Sequence, residues 1–185
     1  MTDKIRDRIA LAVAVLLGVG AMYLGTTWNK ESSTQILPAD VLAPGVLYAT
    51  SFPDLAGRSR SLGEWQGKII VLNLWATWCG PCREEIPIMI KVHQKYRDQG
   101  VVFLGLAMDD KVPVEKYAKE MGINYPVLLD DFASGEFARR LGNKNGLLPY
   151  TVIIDRSGKI ISTKLGGVDE KFLEDALAPL LRHSV

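Results

Sequence analysis

Sulfur and imidazole are scarce in this 185-residue chain, which has two cysteines, Cys79 and Cys82, and two histidines, His93 and His183. A single cysteine pair excludes the disulfide framework of a small secreted module. Charge of one sign is lacking too. The net charge is +1, and residues 1–28 hold three basic and two acidic side chains, so the remainder is neutral. A neutral domain without a basic stripe has no electrostatic footprint for nucleic acid. No internal repeat or low-complexity tract is present. At 48% apolar and 23% charged, the composition is that of one ordinary globular domain.

Charge is absent altogether from Ile9 to Asn29. Residues 9–28 would span roughly 30 Å as a helix, the thickness of one bilayer core. Lys4, Arg6 and Arg8 precede this run, whereas Lys30 behind it is followed at once by Glu31. The asymmetry puts residues 1–8 in the cytoplasm and the rest on the periplasmic or extracytoplasmic face, with residues 9–28 in the lipid bilayer. A cleaved signal peptide is the competing reading, with Val19 and Ala21 as the small residues before the cut. The mature end would then begin Met22-Tyr23-Leu24, an apolar terminus that favours the retained anchor. Residues 29–43, polar and punctuated by proline, read as a linker to a domain over 44–185.

In that domain strands and helices alternate. Residues 47–52 and 58–62 flank the turn PDLAG and predict a hairpin. The near-continuous apolar run 68–75 (KIIVLNLW) predicts a strand buried on both faces. Residues 80–99 carry helical spacing through Ile86, Ile90, His93 and Tyr96, with Gly100 as the stop. There follow a strand at 101–108, a helix at 114–121, a short strand at 126–129 and a helix at 135–141. Strands at 150–155 and 159–164 bracket a turn, and Asp169 caps a final helix to about 181. This order implies an α/β fold with a mixed sheet flanked by helices.

Cys79 and Cys82 can be a crosslink, a metal site or a reagent. As a crosslink the pair closes a tiny loop and removes little entropy from the unfolded chain. Zinc would need two more ligands, and the histidines stand far along the chain, at 93 and 183. Two thiolates could still hold Cu(I), so a copper-delivery protein stays open. For redox chemistry the setting is favourable: a buried strand leads into the pair and a helix begins there. Cys79 then sits where free N–H groups and the helix dipole stabilise a thiolate, and Cys82 one turn later can resolve a mixed disulfide.

The stretches LWATWCGPC, LLPYTVIID and DRSGKI resemble the thioredoxin fold, and in particular the membrane-anchored, TlpA/ResA-type thiol–disulfide oxidoreductases. The resemblance covers roughly residues 44–182. It implies Cys79 as nucleophile, Cys82 as resolving thiol, and a cis-proline at Pro149 that leaves the Leu148 backbone free to pair with a substrate strand. Residues 109–147 match the helix–strand insertion of this subgroup. Thioredoxin has a buried aspartate six residues before its first cysteine, where this chain has Asn73; Glu85, matching a glutamate frequent in the subgroup, is a candidate proton relay, or else a helix surface charge near a thiolate. Trp78 is a candidate contact surface. Trp65, Trp75 and the methionines read as packing, His93 as a structural histidine, Pro87 as a helix kink, and Arg83, Glu84 and Lys91 as solvated. A peroxiredoxin would need Pro at 72 and Thr at 76, where the chain has Leu72 and Ala76.

These residues predict a protein-disulfide reductase without a cofactor. Its partners would be protein substrates with cysteines or disulfides and an upstream dithiol donor. The resemblance suggests apocytochrome c or copper-site cysteines as the substrates. The Gly80-Pro81 dipeptide between the cysteines is that of thioredoxin, a reductant, which favours reduction over disulfide formation by an oxidase of the same fold.

Overall fold

The run at the centre of the sequence organises the molecule. In the computed structural model, which describes residues 42–130 and 135–182, Ile69–Trp75 (β3) is buried at every position. It is preceded by a short helix, Pro44–Ala49 (α1), the strands Ser51–Pro53 (β1) and Ser59–Ser61 (β2), and a 3-10 turn at Leu62–Trp65. It is followed by Gly80–Tyr96 (α2), Val101–Ala107 (β4), Lys111–Met121 (α3), Val127–Leu129 (β5), Glu136–Arg140 (α4), Tyr150–Ile154 (β6), Ile160–Leu165 (β7) and Glu170–Arg182 (α5). The five-stranded sheet runs β5-β4-β3-β6-β7, parallel from β5 to β3 and antiparallel from β3 to β7. This is the mixed α/β sheet the sequence predicts, arranged as a thioredoxin-like fold.

Because side chains alternate along a strand, β3 serves two layers. Ile70, Leu72 and Leu74 pack with Leu104, Leu106, Val152 and Ile154 of the neighbouring strands, and with Leu47, Phe52 and Phe137 from α1, β1 and α4. Ile69 and Val71 face the other way, onto Met89 and Val92 of α2 and Leu173 and Leu177 of α5. Full burial of each such side chain contributes about 1.5–3 kcal/mol, so continuous apolarity is what a strand covered on both faces requires.

Two expectations change. The hairpin forms, pairing Ser51 with Ser61 through Pro53 with Ser59, but its first arm is shorter than 47–52 because Pro44–Ala49 is helical. Pro44 stands in the first turn of that helix, where its fixed φ suits the helix and its missing N–H costs nothing. Leu47 and Tyr48 are both buried and pack in the same cluster against the sheet. Helix α2 runs from Gly80 to Tyr96 with Pro87 inside it, short of the expected end at residue 99, and its buried face is Cys82, Glu85, Ile86, Met89, Val92 and His93, with Ile90 and Tyr96 at the margin. A 3-10 turn, Arg97–Gln99, and Gly100 at φ 79° end it. At the last helix, the Phe172 N–H donates to Asp169 Oδ1 at 2.7 Å, the expected cap.

The expected anchor at residues 9–28 and the N-terminal part of the linker lie outside the described residues, as does His183. Among the described residues no helix is long and apolar enough to cross a membrane.

Candidate active site

The cysteines sit where β3 leaves the sheet and α2 begins. Past Trp75 the chain turns sharply, with the Cys79 N–H donating to Ala76 O at 3.2 Å. Asp109, just beyond β4, ties this turn down. Its Oδ2 accepts from the Thr77 N–H at 3.0 Å and from the Thr77 hydroxyl. Cys79 thereby becomes the N-cap of α2, its Sγ accepting from the Cys82 N–H at 3.3 Å. The two cysteines are joined in a disulfide. They differ in access: Cys79 keeps 6% of its surface exposed and Cys82 none.

Beneath the disulfide lies an apolar floor of Trp75, Ala76, Ile86, Ala107 and Val114. Tyr117 of α3 packs against Trp75 with ring centroids 5.7 Å apart. Arg83, expected to be merely solvated, lays its guanidinium 5.6 Å from the Tyr117 ring. Trp75 and Trp65 are core packing as expected. Trp78, by contrast, is 62% exposed, directly before the first cysteine.

Leu148 packs against the cluster that contains both cysteines. Its bond to Pro149 is cis. Pro149 O accepts from the Gly166 N–H at 2.9 Å, whereas no hydrogen bond joins the Leu148 N–H or C=O to another described residue. Trp78 and Leu148 do not share one cleft. Trp78 lines a cleft of about 670 Å³ together with Phe52, Met108, Asp109 and Leu129. Leu148 lines a smaller one of about 220 Å³ with Ala138 and Asn143, and Met108 borders both.

Glu85 is a buried carboxyl on the helix that Cys79 caps. Three residues after Cys82 on the same helix face, it is 2% exposed, not a surface charge. Its Oε1 accepts from Asn73 Nδ2 at 2.8 Å and its Oε2 from the Val168 N–H at 2.9 Å. Asn73 Nδ2 also donates to Thr151 Oγ1 at 3.1 Å. Burial pushes the carboxyl up to about 7, against the opposing pull of the Val168 N–H, the Asn73 amide and the Lys164 ammonium. A group poised near neutrality can both take and give a proton. Further along α2, His93 is structural as expected. Its Nδ1 donates to Asn124 Oδ1 at 3.2 Å, and burial lowers its pKa.

Asp109, Thr151 and Val168 were not among the residues singled out from sequence. Asp109 carries a local signal, a carboxylate straight after a buried strand, beside the crevice where α/β sheets bind ligands. Thr151 and Val168 join the site only through contacts across 78 and 83 residues of chain.

The Redoxin family profile matches residues 39–178. The thiol-disulfide oxidoreductase ResA of Bacillus cereus is 34% identical over 177 residues, covering 93% of this chain and 96% of that protein. ResA of Geobacillus kaustophilus is 33% identical over 173 residues, with 92% and 95% covered. Among solved structures, a thiol:disulfide interchange protein of the thioredoxin family from Chlorobium tepidum superposes with a TM-score of 0.63 at 30% identity, over 71% of this chain and 92% of that one. A DsbF homologue from Corynebacterium diphtheriae gives 0.67 at 26% identity, over 82% and 96%.

Proposed function

The chain belongs to the Redoxin family and is a thiol–disulfide oxidoreductase of the ResA type, and from that premise we propose that it is a membrane-tethered reductase of protein disulfides, held by residues 9–28 on the periplasmic or extracytoplasmic face. The observation that carries the reading is the inequality of the two sulfurs. Cys79 is at a helix N-terminus and keeps a little exposed surface; Cys82 keeps none. In the reduced protein the Cys79 thiolate attacks a substrate disulfide, releasing one substrate thiolate and leaving a mixed disulfide on Cys79. Cys82 then gives up its proton and attacks the Cys79 sulfur. The bond from Cys79 to the substrate breaks, and the second substrate thiolate leaves with the electron pair. Glu85 is the proton carrier in this second step: it is buried on the same helix face as Cys82, and both of its charge states are populated near neutral pH. An upstream dithiol returns two electrons and two protons to regenerate Cys79 and Cys82.

Substrate docks over both flanks of the disulfide. Leu148, whose N–H and C=O bond to no other described residue, offers strand pairing, and Trp78 offers a flat apolar face. Either substrate class suggested by the resemblance, apocytochrome c or copper-site cysteines, would pair with this edge through the backbone beside its cysteine. In a compartment where disulfides form readily, such targets need a dedicated reductant.

The test is to replace Cys82 by Ser in the full chain. Mixed disulfides between Cys79 and substrate proteins should accumulate, and Cys79→Ser should abolish them. Stoichiometric Cu(I) binding that needs both thiols, with no trapped partner, would instead establish the copper-delivery reading.

A further inference from the structure

The buried hydrogen-bond set around Glu85 contains one atom without a partner. Asn73 is 1% exposed and Thr151 fully buried. Asn73 spends both N–H groups of Nδ2, one on Glu85 Oε1 and one on Thr151 Oγ1. Its Oδ1, also buried, meets no donor among the described residues. A buried amide that leaves its acceptor unused is uncommon.

Every bond in this set suits a carboxylate. Ionised, Glu85 only accepts, and each of its oxygens faces an N–H. Protonated, it becomes a donor, and neither the Val168 N–H nor the Asn73 NH2 can receive it. The Val168 N–H is fixed in the backbone. The Asn73 amide is not: its terminal torsion is broad and nearly two-fold. A half-turn brings the unpartnered Oδ1 to Glu85, and the Thr151 hydroxyl reverses from acceptor to donor. The NH2 group is then left where the carbonyl had been, without a partner, so the amide favours the carboxylate and turns only when Glu85 holds a proton.

We propose that Asn73 is a positioning residue whose side-chain amide follows the protonation state of Glu85, presenting its NH2 to the carboxylate and its carbonyl to the acid, with Thr151 serving both states. The inference rests on the reading of Glu85 as proton carrier for Cys82. When Cys82 attacks the mixed disulfide, its proton passes to Glu85, the amide turns, and the acid is held by Oδ1. The proton then leaves for the departing substrate thiolate, and the amide turns back. The other groups that bear on Glu85 leave this role to Asn73. Lys164 of β7 only favours the charged form. The Tyr125 phenol is held neutral, chiefly by burial, and Cys82 of α2 is the proton's source. With Glu85 at about 7, both states exist at working pH.

The experiment uses the full chain in detergent micelles, with Asn and Glu side chains isotopically labelled. In the oxidised protein, the two Asn73 amide protons should show hydrogen-bonded shifts above the Glu85 midpoint and unbonded shifts below it, titrating together with the Glu85 carboxyl carbon. In Glu85→Gln this titration of Asn73 should vanish. In parallel, resolution of a preformed mixed disulfide on Cys79 is timed against pH. Asn73→Leu should move the rising limb upward by about one pH unit and slow resolution at pH 7 about fivefold, with full recovery at higher pH that a packing defect would not show. If Glu85→Gln leaves the pH dependence of resolution unchanged, the proton-carrier reading fails. If Glu85→Gln abolishes it while the Asn73 protons stay bonded at both pH extremes and Asn73→Leu keeps the parent midpoint, the amide inference alone fails. Should Asn73→Leu not fold, the spectrum of the parent protein decides.

Discussion

One helical turn separates two sulfurs with different surroundings. At the N-cap, Cys79 receives the Cys82 N–H and the positive end of α2, which stabilises negative charge on sulfur. Cys82 is enclosed by Ile86, Ala107 and Val114, where a thiolate gains no such support. After reduction, Cys79 should alkylate at pH 7 at least roughly tenfold faster than Cys82, with an apparent pKa below the ordinary thiol value of about 8.5. Equal rates for the two thiols would remove the mechanism. Glu85 carries its own signature. Its carboxyl stands at about 7 in the folded protein against an ordinary 4.5, so the folded state holds a proton that the unfolded state has lost between those values. The resulting stability is complete below about pH 4.5 and is lost as pH rises through 7, a span worth about 3 kcal/mol. Glu85→Gln, neutral throughout, should therefore gain on the parent by about that amount between pH 4.5 and pH 8 in denaturant melts. A flat difference would mean that the carboxyl is solvated. At this scale the cysteine pair and its setting at a helix start were legible, because both lie in one short stretch of sequence. The burial of Glu85 was not. A lone glutamate on a helix reads as solvated until the face through Cys82, Ile86, Met89 and His93 is drawn, and its partner Asn73, a polar residue inside KIIVLNLW, is the one local hint.

Strands and helices hold the disulfide by close approach as much as by apolar burial. Gly105 of β4 lies beside Asn73 of β3 in the sheet register, and a Cβ there would stand 2.9 Å from Trp75 Nε1 and 3.3 Å from the Tyr125 ring. Trp75 is part of the floor under the cysteines, so the glycine sets the height of that floor. Gly105→Ala should lower stability by about 1–3 kcal/mol and slow thiol exchange, as read by chemical denaturation and disulfide turnover on the same sample. Unchanged stability would show that the indole can move aside. The central strands were readable because burial on both faces leaves unbroken apolar runs, and the stop at Gly100 marks a helix end that the structure keeps, at φ 79°. The first arm of the hairpin misled for a physical reason. Leu47 and Tyr48 offer apolar side chains without deciding a period, and the deciding residue is Pro44, well placed in the first turn of a helix.

For the whole chain, the order of elements implied a mixed sheet, but not the strand order β5-β4-β3-β6-β7. Nor did it show that Trp78 and Leu148 open onto different clefts. Both depend on contacts between segments far apart in the chain, β3 with β6 among them, which no local pattern encodes. Among the described residues, the clusters that pack the sheet draw on Leu42 onward. A chain starting at Glu31 should therefore fold as a soluble domain, with a melting temperature within a few degrees of the full protein in detergent and undiminished exchange of a small disulfide. Aggregation of that fragment would make residues 9–28 part of the fold and end the tether proposal. The central claim, that this oxidoreductase reduces its targets, is tested most directly by the reduction potential of the Cys79–Cys82 couple, equilibrated against a glutathione or thioredoxin buffer. With the thioredoxin dipeptide Gly80-Pro81 between its cysteines, the couple should poise on the reducing side, toward about −270 mV. A value near about −120 mV, that of a disulfide-forming oxidant of the same fold, would contradict the account.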